Sequence, residues 1–151
     1  MTVLLIDDEP DVFTEIVQPA VAAASQKADL EMAARVIPSI EDARQLFAEF
    51  RKSKSTDVPK VIVLDMDISN NPTGGLELLQ QIKEIDALRS VPVLMYSQHK
   101  GNDLVCACLS HGAEGYLHKF GRKRKKKELM TSSLFYLASR EVCKDEREAS
   151  V

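Results

Sequence analysis

Short apolar runs alternate along the chain with longer segments whose apolar residues recur every three to four positions. The runs predict five strands, at residues 2–6, 30–36, 60–64, 91–97 and 114–118. The periodic segments between them predict five helices, at residues 9–26, 39–52, 76–85, 103–111 and 125–142. Strands and helices that alternate in this way predict an α/β fold, a doubly wound five-stranded parallel sheet with helices on both faces.

Several helix ends carry recognisable signals. Pro10 suits the first turn of the first helix, whereas Pro19 should kink or break that helix. Ser39 is expected to cap the second helix, and Asn102 the fourth. We expect one domain over residues 1–143 and a frayed C-terminal tail over residues 144–151.

Composition narrows the class of protein. No apolar run approaches the ~20 residues that a membrane-spanning helix needs. The N-terminus turns acidic after five residues, unlike a secretory signal, so a cytoplasmic location is the default expectation. The three cysteines, Cys106, Cys108 and Cys143, are too few for a disulfide framework and are expected to be ordinary packing residues.

The formal net charge of −3 conceals a marked asymmetry. Lys119 and the run RKRKKK at residues 122–127 hold seven of the twenty basic residues. The remaining 13 basic and 23 acidic residues give the rest of the chain a net charge of −10. One basic patch on an acidic body indicates an acidic or phosphate-rich partner at Arg122–Lys127, although a solvated helix start is an equally good explanation.

Polar side chains follow the predicted strands at the points where these strands end. The first strand leads into Asp7, Asp8 and Glu9, the third into Asp65 and Asp67. The fourth strand ends in Ser97, and the fifth ends close to Lys119. Because the carboxyl ends of parallel strands meet at one edge of a sheet, these side chains should converge.

Such a constellation predicts a particular chemistry. Asp8 and Asp65, with help from Asp7, can hold a hard cation, and a carboxylate-rich set of ligands favours Mg²⁺. Asp65 can then attack a phosphoryl group whose charge Lys119 and Ser97 neutralise. The Asp65-x-Asp67 pair alone is equally consistent with a phosphatase nucleophile, a metal site or a phosphate acceptor.

Five segments, in order, resemble the receiver domain of bacterial two-component response regulators. They are VLLIDDEP, VIVLD, GLELLQQIK, VPVLMYS and GAEGYLHK. Ser97 and Lys119 are 22 positions apart, as in that family. The chain resembles in particular the stand-alone chemotaxis regulators of this family, and the resemblance covers nearly the whole chain. It implies a flavodoxin-like sheet with strand order 2-1-3-4-5.

The resemblance also implies roles for individual residues. Asp65 would accept a phosphoryl group from a histidine kinase or phosphotransfer protein, with Mg²⁺ held by Asp8, Asp65 and the backbone carbonyl of Asp67. Ser97 would then move toward the phosphoryl group and Tyr116 would swing inward. These movements would remodel the face formed by the fourth helix, fifth strand and fifth helix for protein–protein signalling. Apart from self-phosphorylation and autodephosphorylation, no enzymatic activity is expected.

The chain departs from the family pattern near the site. Asp67 and His99 occupy positions that usually border the path of the attacking water, so we expect them to tune the phosphoryl lifetime. Ser69 replaces a common proline in a loop about two residues longer than usual. Gln98 is bulkier than the usual residue, and Phe120 replaces the proline that normally follows the lysine.

Two other functions remain open at this stage. The chain could be a receiver-like binding module that works without phosphorylation. It could also be a phosphatase of the haloacid dehalogenase type, but in that family the acidic pair follows the lysine, whereas Asp7 and Asp8 precede it here. The sequence leaves a homodimer possible. DNA is not the expected partner, because no recognition helix follows the domain and the body is acidic.

Overall fold

A single parallel sheet forms the centre of the molecule. The computed structural model describes residues 1–52, 57–99 and 101–149. Its strands are β1 (Thr2–Ile6), β2 (Ala33–Ile37), β3 (Val61–Asp65), β4 (Val93–Ser97) and β5 (Gly115–His118). They lie in the order 2-1-3-4-5, and every neighbouring pair is parallel. The predicted fold class is therefore confirmed.

Five α-helices connect or follow the strands. They are α1 (Gln18–Ala28), α2 (Ile40–Lys52), α3 (Gly74–Glu84), α4 (Asn102–Ser110) and α5 (Lys123–Ala149). A π-helical stretch (Val12–Val17) leads directly into α1, and a short 3₁₀ turn (Ile68–Asn70) precedes α3. Most predicted elements agree with these bounds within two residues, but β2 begins three residues later than predicted.

The helices pack on both faces of the sheet, over two apolar layers. Alternate residues of each strand point to opposite faces, so Leu4 and Ile62 belong to one layer, and Val3 and Val61 to the other. The first layer includes α2 and α3, and the second includes α1 and α5. With both faces covered, the polar site is confined to the edge where the strands end.

We predicted that Pro19 would kink or break the first helix, and the structure shows that it does not break it. The helix continues through it, and the preceding turn widens to a π-helix in which the Gln18 N–H donates to the carbonyl of Phe13. A proline cannot donate to the preceding turn, and its ring clashes with a carbonyl there in a regular α-helix. The wider turn accommodates both effects, as π-bulges commonly do.

Helix α2 begins as predicted, whereas α4 does not. The Asp42 N–H donates to Ser39 Oγ at 3.1 Å, which confirms Ser39 as the cap of α2. Gly101 precedes α4 in extended conformation, and Asn102 is the first helical residue, so the prediction that Asn102 caps α4 is wrong. Gly112 ends α4 with φ of +96°, a conformation that favours glycine.

Helix α5 is longer than the sequence predicted. It extends to Ala149, so residues 144–149 are helical and the predicted boundary at residue 143 falls within the helix. Lys60 Nζ lies 2.8 Å from Asp145 Oδ2 and ties this part of the helix to the start of β3. The end was misplaced because the apolar periodicity stops at Ala138, the last buried residue of α5.

The cysteines differ in their surroundings. Cys108 is buried in the core, as predicted, but Cys106 and Cys143 are exposed, so the prediction that all three pack inside is wrong. Burial raises the pKa of the Cys108 thiol to about 11. None of the described helices is both long and apolar enough to cross a membrane.

Candidate functional site

An open crevice lies at the carboxyl ends of the central strands. Its volume is about 640 Å³. The residues that line it come from the segments after β1, β3 and β4, and they include Asp8, Glu9, Asp65, Asp67, Gln98 and His99. The parallel topology therefore brings together polar residues that are up to 91 positions apart in the chain, from Asp8 to His99.

Lys119 is the central cation of this site. Its Nζ lies 2.7 Å from Asp7 Oδ2, and 3.2 Å from both Asp65 Oδ1 and Glu9 Oε1. The side chains of Lys119, Asp7 and Asp65 are 4%, 0% and 2% exposed. One buried ammonium group thus compensates two buried carboxylates, and the third carboxylate, Glu9, approaches from the solvent side.

Burial and charge shift the pKa values of these groups. Burial, helped by the negative charge of Asp65, raises the pKa of Asp7 to about 6 against the opposing effect of the Lys119 ammonium. Burial likewise raises the pKa of Asp65. Burial acts to lower the pKa of Lys119, but the carboxylates of Asp7 and Asp65 outweigh it and the pKa is raised overall.

The raised pKa of Asp7 predicts that the protein becomes less stable as the pH rises. The native state keeps a proton on Asp7 between its ordinary pKa of 3.8 and about 6, whereas the unfolded state has released it. In the presence of a chelator, the free energy of unfolding should therefore fall by up to about 3 kcal/mol across this range. Urea titrations at several pH values measure this. Asp7→Asn should make the dependence shallower, and an unchanged slope in that variant would contradict the account.

Asp8 lies at the surface of the same cluster. One carboxylate oxygen from each of Asp7, Asp8, Glu9 and Asp65 lies within 4.8 Å of the others, an arrangement that could hold a metal ion. The Ser69 N–H donates to Asp8 Oδ2 at 3.0 Å and ties the loop after β3 to this cluster. The usual proline could not replace Ser69 here, because proline has no N–H and cannot adopt the φ of +58° found at Ser69.

Asp67 and His99 meet across the crevice. His99 Nε2 lies 2.5 Å from Asp67 Oδ1, and both side chains are about one-third exposed. The Asp67 N–H donates to Asp65 Oδ1 at 3.2 Å, which links this pair to the buried carboxylate. The sequence singled out both residues as neighbours of the site, but it gave no indication that they contact each other.

Ser97 and Tyr116 lie on the far side of the site from Asp8. Ser97 is fully buried, and its Oγ accepts a hydrogen bond from the His99 N–H at 3.1 Å. Burial raises the pKa of Tyr116, whereas a hydrogen bond with the Ser97 side chain acts to lower it. The half-buried Tyr116 hydroxyl also donates to the His99 carbonyl at 3.5 Å. Tyr116 and Ser97 thus lie close together, and both bond to the backbone of His99.

Close packing of α3 fixes the backbone around Asp65. The Gly75 N–H donates to the Met66 carbonyl at 2.9 Å. A Cβ atom at Gly75 would lie 2.3 Å from the backbone oxygen of Asp65, so any side chain there would push α3 away from β3. Gly75 is therefore a structural requirement of the site.

Glu9 is the site residue to which the sequence assigned no role. It was noted only as the third acid after β1, yet its carboxylate contacts Lys119. Its N–H donates to Asp7 Oδ1 at 2.9 Å, which fixes its backbone against the buried pair. The sequence feature that could have identified Glu9 as a site residue was its position directly after Asp7 and Asp8.

The remaining departures from the family pattern lie around the crevice. The peptide bond between Lys119 and Phe120 is trans, so the chain avoids the cost of a cis bond without proline. Gln98 is exposed and lines the crevice. In the basic run, Lys123 pairs with Glu15 at 3.0 Å, and Lys126 Nζ donates to the Lys119 carbonyl at 3.3 Å.

Two comparisons by sequence identify relatives of the chain. The family described as the response regulator receiver domain matches residues 3–131. The methanol utilization control regulatory protein MoxX of Paracoccus denitrificans is 24% identical over 119 residues. That match covers 79% of this chain, which spans only 47% of MoxX.

Solved structures of response regulators have the same fold. The phosphorylated cyanobacterial phytochrome response regulator RcpA superposes with a TM-score of 0.74 at 15% identity, over 92% of this chain and 94% of RcpA. The Mn²⁺-bound response regulator Rcp1 gives a TM-score of 0.70 at 19% identity, over 90% of this chain and 94% of Rcp1. With its sequence match over residues 3–131, the chain belongs to the receiver domain family of two-component response regulators.

Proposed function

We propose that this receiver domain accepts a phosphoryl group on Asp65 from a histidine kinase or phosphotransfer protein and signals through protein contacts. The observation that carries the proposal is the Asp65 carboxylate itself, which lies 3.2 Å from Lys119 Nζ and belongs to an acidic cluster in an open crevice. The complete set of Asp8, Asp65, Ser97 and Lys119 favours this function over a binding module that works without phosphorylation. Membership of the receiver family argues against a phosphatase of the haloacid dehalogenase type.

In the proposed step, an Asp65 carboxylate oxygen forms a bond to phosphorus while the bond between phosphorus and the donor imidazole nitrogen breaks. The donor imidazole carries a proton on its other ring nitrogen, so it leaves as a neutral imidazole when the electron pair of the broken bond returns to its nitrogen. Lys119 and the Ser97 hydroxyl are suited to stabilise the negative charge on the transferred oxygens. The acyl phosphate is later lost when water attacks phosphorus, which breaks the bond to the Asp65 oxygen, releases inorganic phosphate and restores the carboxylate.

The donor set of the acidic cluster suits Mg²⁺. Asp8, Asp65 and the Asp67 carbonyl would hold the ion, with Asp7 as a further nearby carboxylate. The Asp67 carbonyl accepts one hydrogen bond, from the Asn70 N–H at 3.0 Å, and has a second lone pair for a cation. When bound, the ion would neutralise charge on the phosphoryl oxygens. The Mn²⁺ in the similar regulator Rcp1 supports a divalent cation here.

A metal titration tests this proposal. Mg²⁺ should raise the free energy of unfolding of the wild type, because only the native state has the site. Asp8→Asn should weaken Mg²⁺ binding at least about tenfold and should slow phosphotransfer from a phosphorylated kinase. Asp11→Asn is the matched control, since Asp11 lines the crevice outside the acidic cluster. Equal Mg²⁺ affinity in the two variants would contradict the assignment.

The contact between Asp67 and His99 bears on the phosphoryl lifetime. Both residues line the crevice that contains Asp65, and the Asp67 N–H donates to the Asp65 carboxylate, so we expect the pair to hinder the approach of water. His99→Ala should shorten the half-life of the phosphorylated protein severalfold, as followed by loss of the label after the donor is removed. His111→Ala, which alters an exposed histidine at the end of α4, should leave the half-life unchanged. Equal half-lives in wild type and His99→Ala would refute this role.

The signalling face would consist of α4, β5 and α5. The contact between Ser97 and Tyr116 supports a coupling from the site to β5. Because Tyr116 already faces Ser97, phosphorylation would act by tightening this contact. Among the described residues, all the exposed large apolar side chains belong to α4, α5 or the segment between β5 and α5: Leu109, Phe120, Leu129 and Tyr136. Exposed apolar side chains on these elements favour a partner protein at this face.

The basic run adds a second possible contact surface. Arg122 and Lys125 are exposed at the start of α5. Their positive charge lies at a helix N-terminus, where it is not stabilised by the helix dipole. This placement favours an acidic partner segment at Arg122–Lys127. Lowered affinity for that partner at high salt would be the expected sign of such a contact.

A further inference from the structure

Glu9 stands apart from the other carboxylates around Lys119. Its Oε1 is as close to Lys119 Nζ as Asp65 Oδ1 is, at 3.2 Å. Its side chain is 50% exposed, however, whereas those of Asp7 and Asp65 are buried. A half-exposed carboxylate keeps much of its hydration when it leaves an ion pair, so Glu9 can release Lys119 at little cost.

Glu9 also lies in the wall between two cavities. One is the crevice above Asp65, and the other is a cavity of about 230 Å³ between the starts of the π-helical stretch and α5. Glu9 and Gln98 line both cavities, and Lys119 lines the second. The Glu9 side chain therefore has open space on either side into which it can turn.

We propose that Glu9 is a positioning residue that competes with a phosphoryl group on Asp65 for Lys119. In the unphosphorylated protein, Glu9 holds the ammonium group together with Asp7 and Asp65. Phosphorylation places a group of higher negative charge on Asp65. The Lys119 ammonium can pair fully with this group only when its contact with Glu9 loosens. Glu9 thereby favours the unphosphorylated form and lowers the extent of phosphorylation at equilibrium.

The charges around the site support the same role for Glu9. Three carboxylates, those of Asp7, Glu9 and Asp65, contact one lysine, and the carboxylate of Asp8 lies in the same cluster. A phosphoryl group adds negative charge to this excess, and Glu9 is the member of the cluster that contacts Lys119 from the solvent side. Removal of its charge relieves repulsion of the phosphoryl group and frees Lys119 at the same time.

The phosphotransfer equilibrium between a phosphorylated histidine kinase and the full chain tests this inference. Glu9→Gln should shift the equilibrium about two- to fivefold toward the phosphorylated regulator. Glu15→Gln is the matched control: it removes the same charge six residues further on, where the partner is Lys123, and should leave the equilibrium unchanged. Glu9→Asp keeps the charge but shortens the side chain, and it should shift the equilibrium in the direction of Glu9→Gln.

Three outcomes would overturn the inference. They are equal equilibria for Glu9→Gln and Glu15→Gln, wild-type behaviour of Glu9→Asp, or a loss of Mg²⁺ affinity in Glu9→Gln as large as that in Asp8→Asn. The last would make Glu9 a metal ligand and not a competitor for Lys119. The inference rests on the proposed function, but different results would reject the two. If the wild type were not phosphorylated at all, the proposed function itself would be rejected.

Discussion

Replacement of Lys119 by methionine should lower the free energy of unfolding by about 3–5 kcal/mol at neutral pH in the presence of a chelator. The substitution keeps a side chain of similar length but leaves the carboxylates of Asp7 and Asp65 buried without their cation. Urea unfolding at pH 7 measures the loss. The loss should be smaller at pH 5, where Asp7, with its pKa of about 6, is mostly protonated.

Lys123→Met is the matched control for this experiment. Lys123 pairs with Glu15 at 3.0 Å, but both side chains are about half exposed. Exposed ion pairs contribute less than about 1 kcal/mol, so this variant should be nearly as stable as the wild type. If Lys119→Met were as stable as Lys123→Met, Lys119 would not be the cation that compensates the buried acids.

Asp65→Asn should abolish phosphotransfer from a phosphorylated histidine kinase. The amide has nearly the same shape as the carboxylate, but it lacks the nucleophilic oxygen that forms the acyl phosphate. Incubation with labelled kinase and Mg²⁺, followed by gel separation, measures the transfer. Urea unfolding shows whether the variant is folded, so that loss of label can be attributed to chemistry.

Asp67→Asn tests whether the loss of label is specific to residue 65. Asp67 is two residues further on and faces the same crevice, yet it should retain the label because its carboxylate is not the proposed nucleophile. Its phosphoryl lifetime is expected to change, since the contact with His99 is altered. Label on Asp65→Asn together with no label on Asp67→Asn would contradict the assignment of the acceptor.

The strand ends explain why much of the site could be predicted from the sequence. An apolar run ending in Asp65, and others ending near Asp7, Ser97 and Lys119, must meet at one edge if the strands are parallel. The contacts of Lys119 with Asp7 and Asp65 follow that rule. Strand order and the register between strands depend on packing between distant segments, and the resemblance to a known family supplied the order.

Other features could not be predicted because they depend on geometry that local patterns do not encode. Pro19 is tolerated because the preceding turn widens to a π-helix, which no local sequence pattern indicates. The contact between Asp67 and His99 joins two loops whose conformations the sequence leaves open. The last part of α5 is exposed and makes charged contacts such as Lys60 with Asp145, so no apolar periodicity marks the end of the helix.

The most direct test of the central claim is to locate the phosphoryl group by chemical trapping. Borohydride reduces an aspartyl phosphate to homoserine, which peptide mass spectrometry then places in the sequence. After phosphotransfer to the wild type, the product should appear at Asp65, with no product at Asp7, Asp8 or Asp67. Reduction at one of those other carboxylates, or no reduction product after full exposure to the donor, would contradict the account.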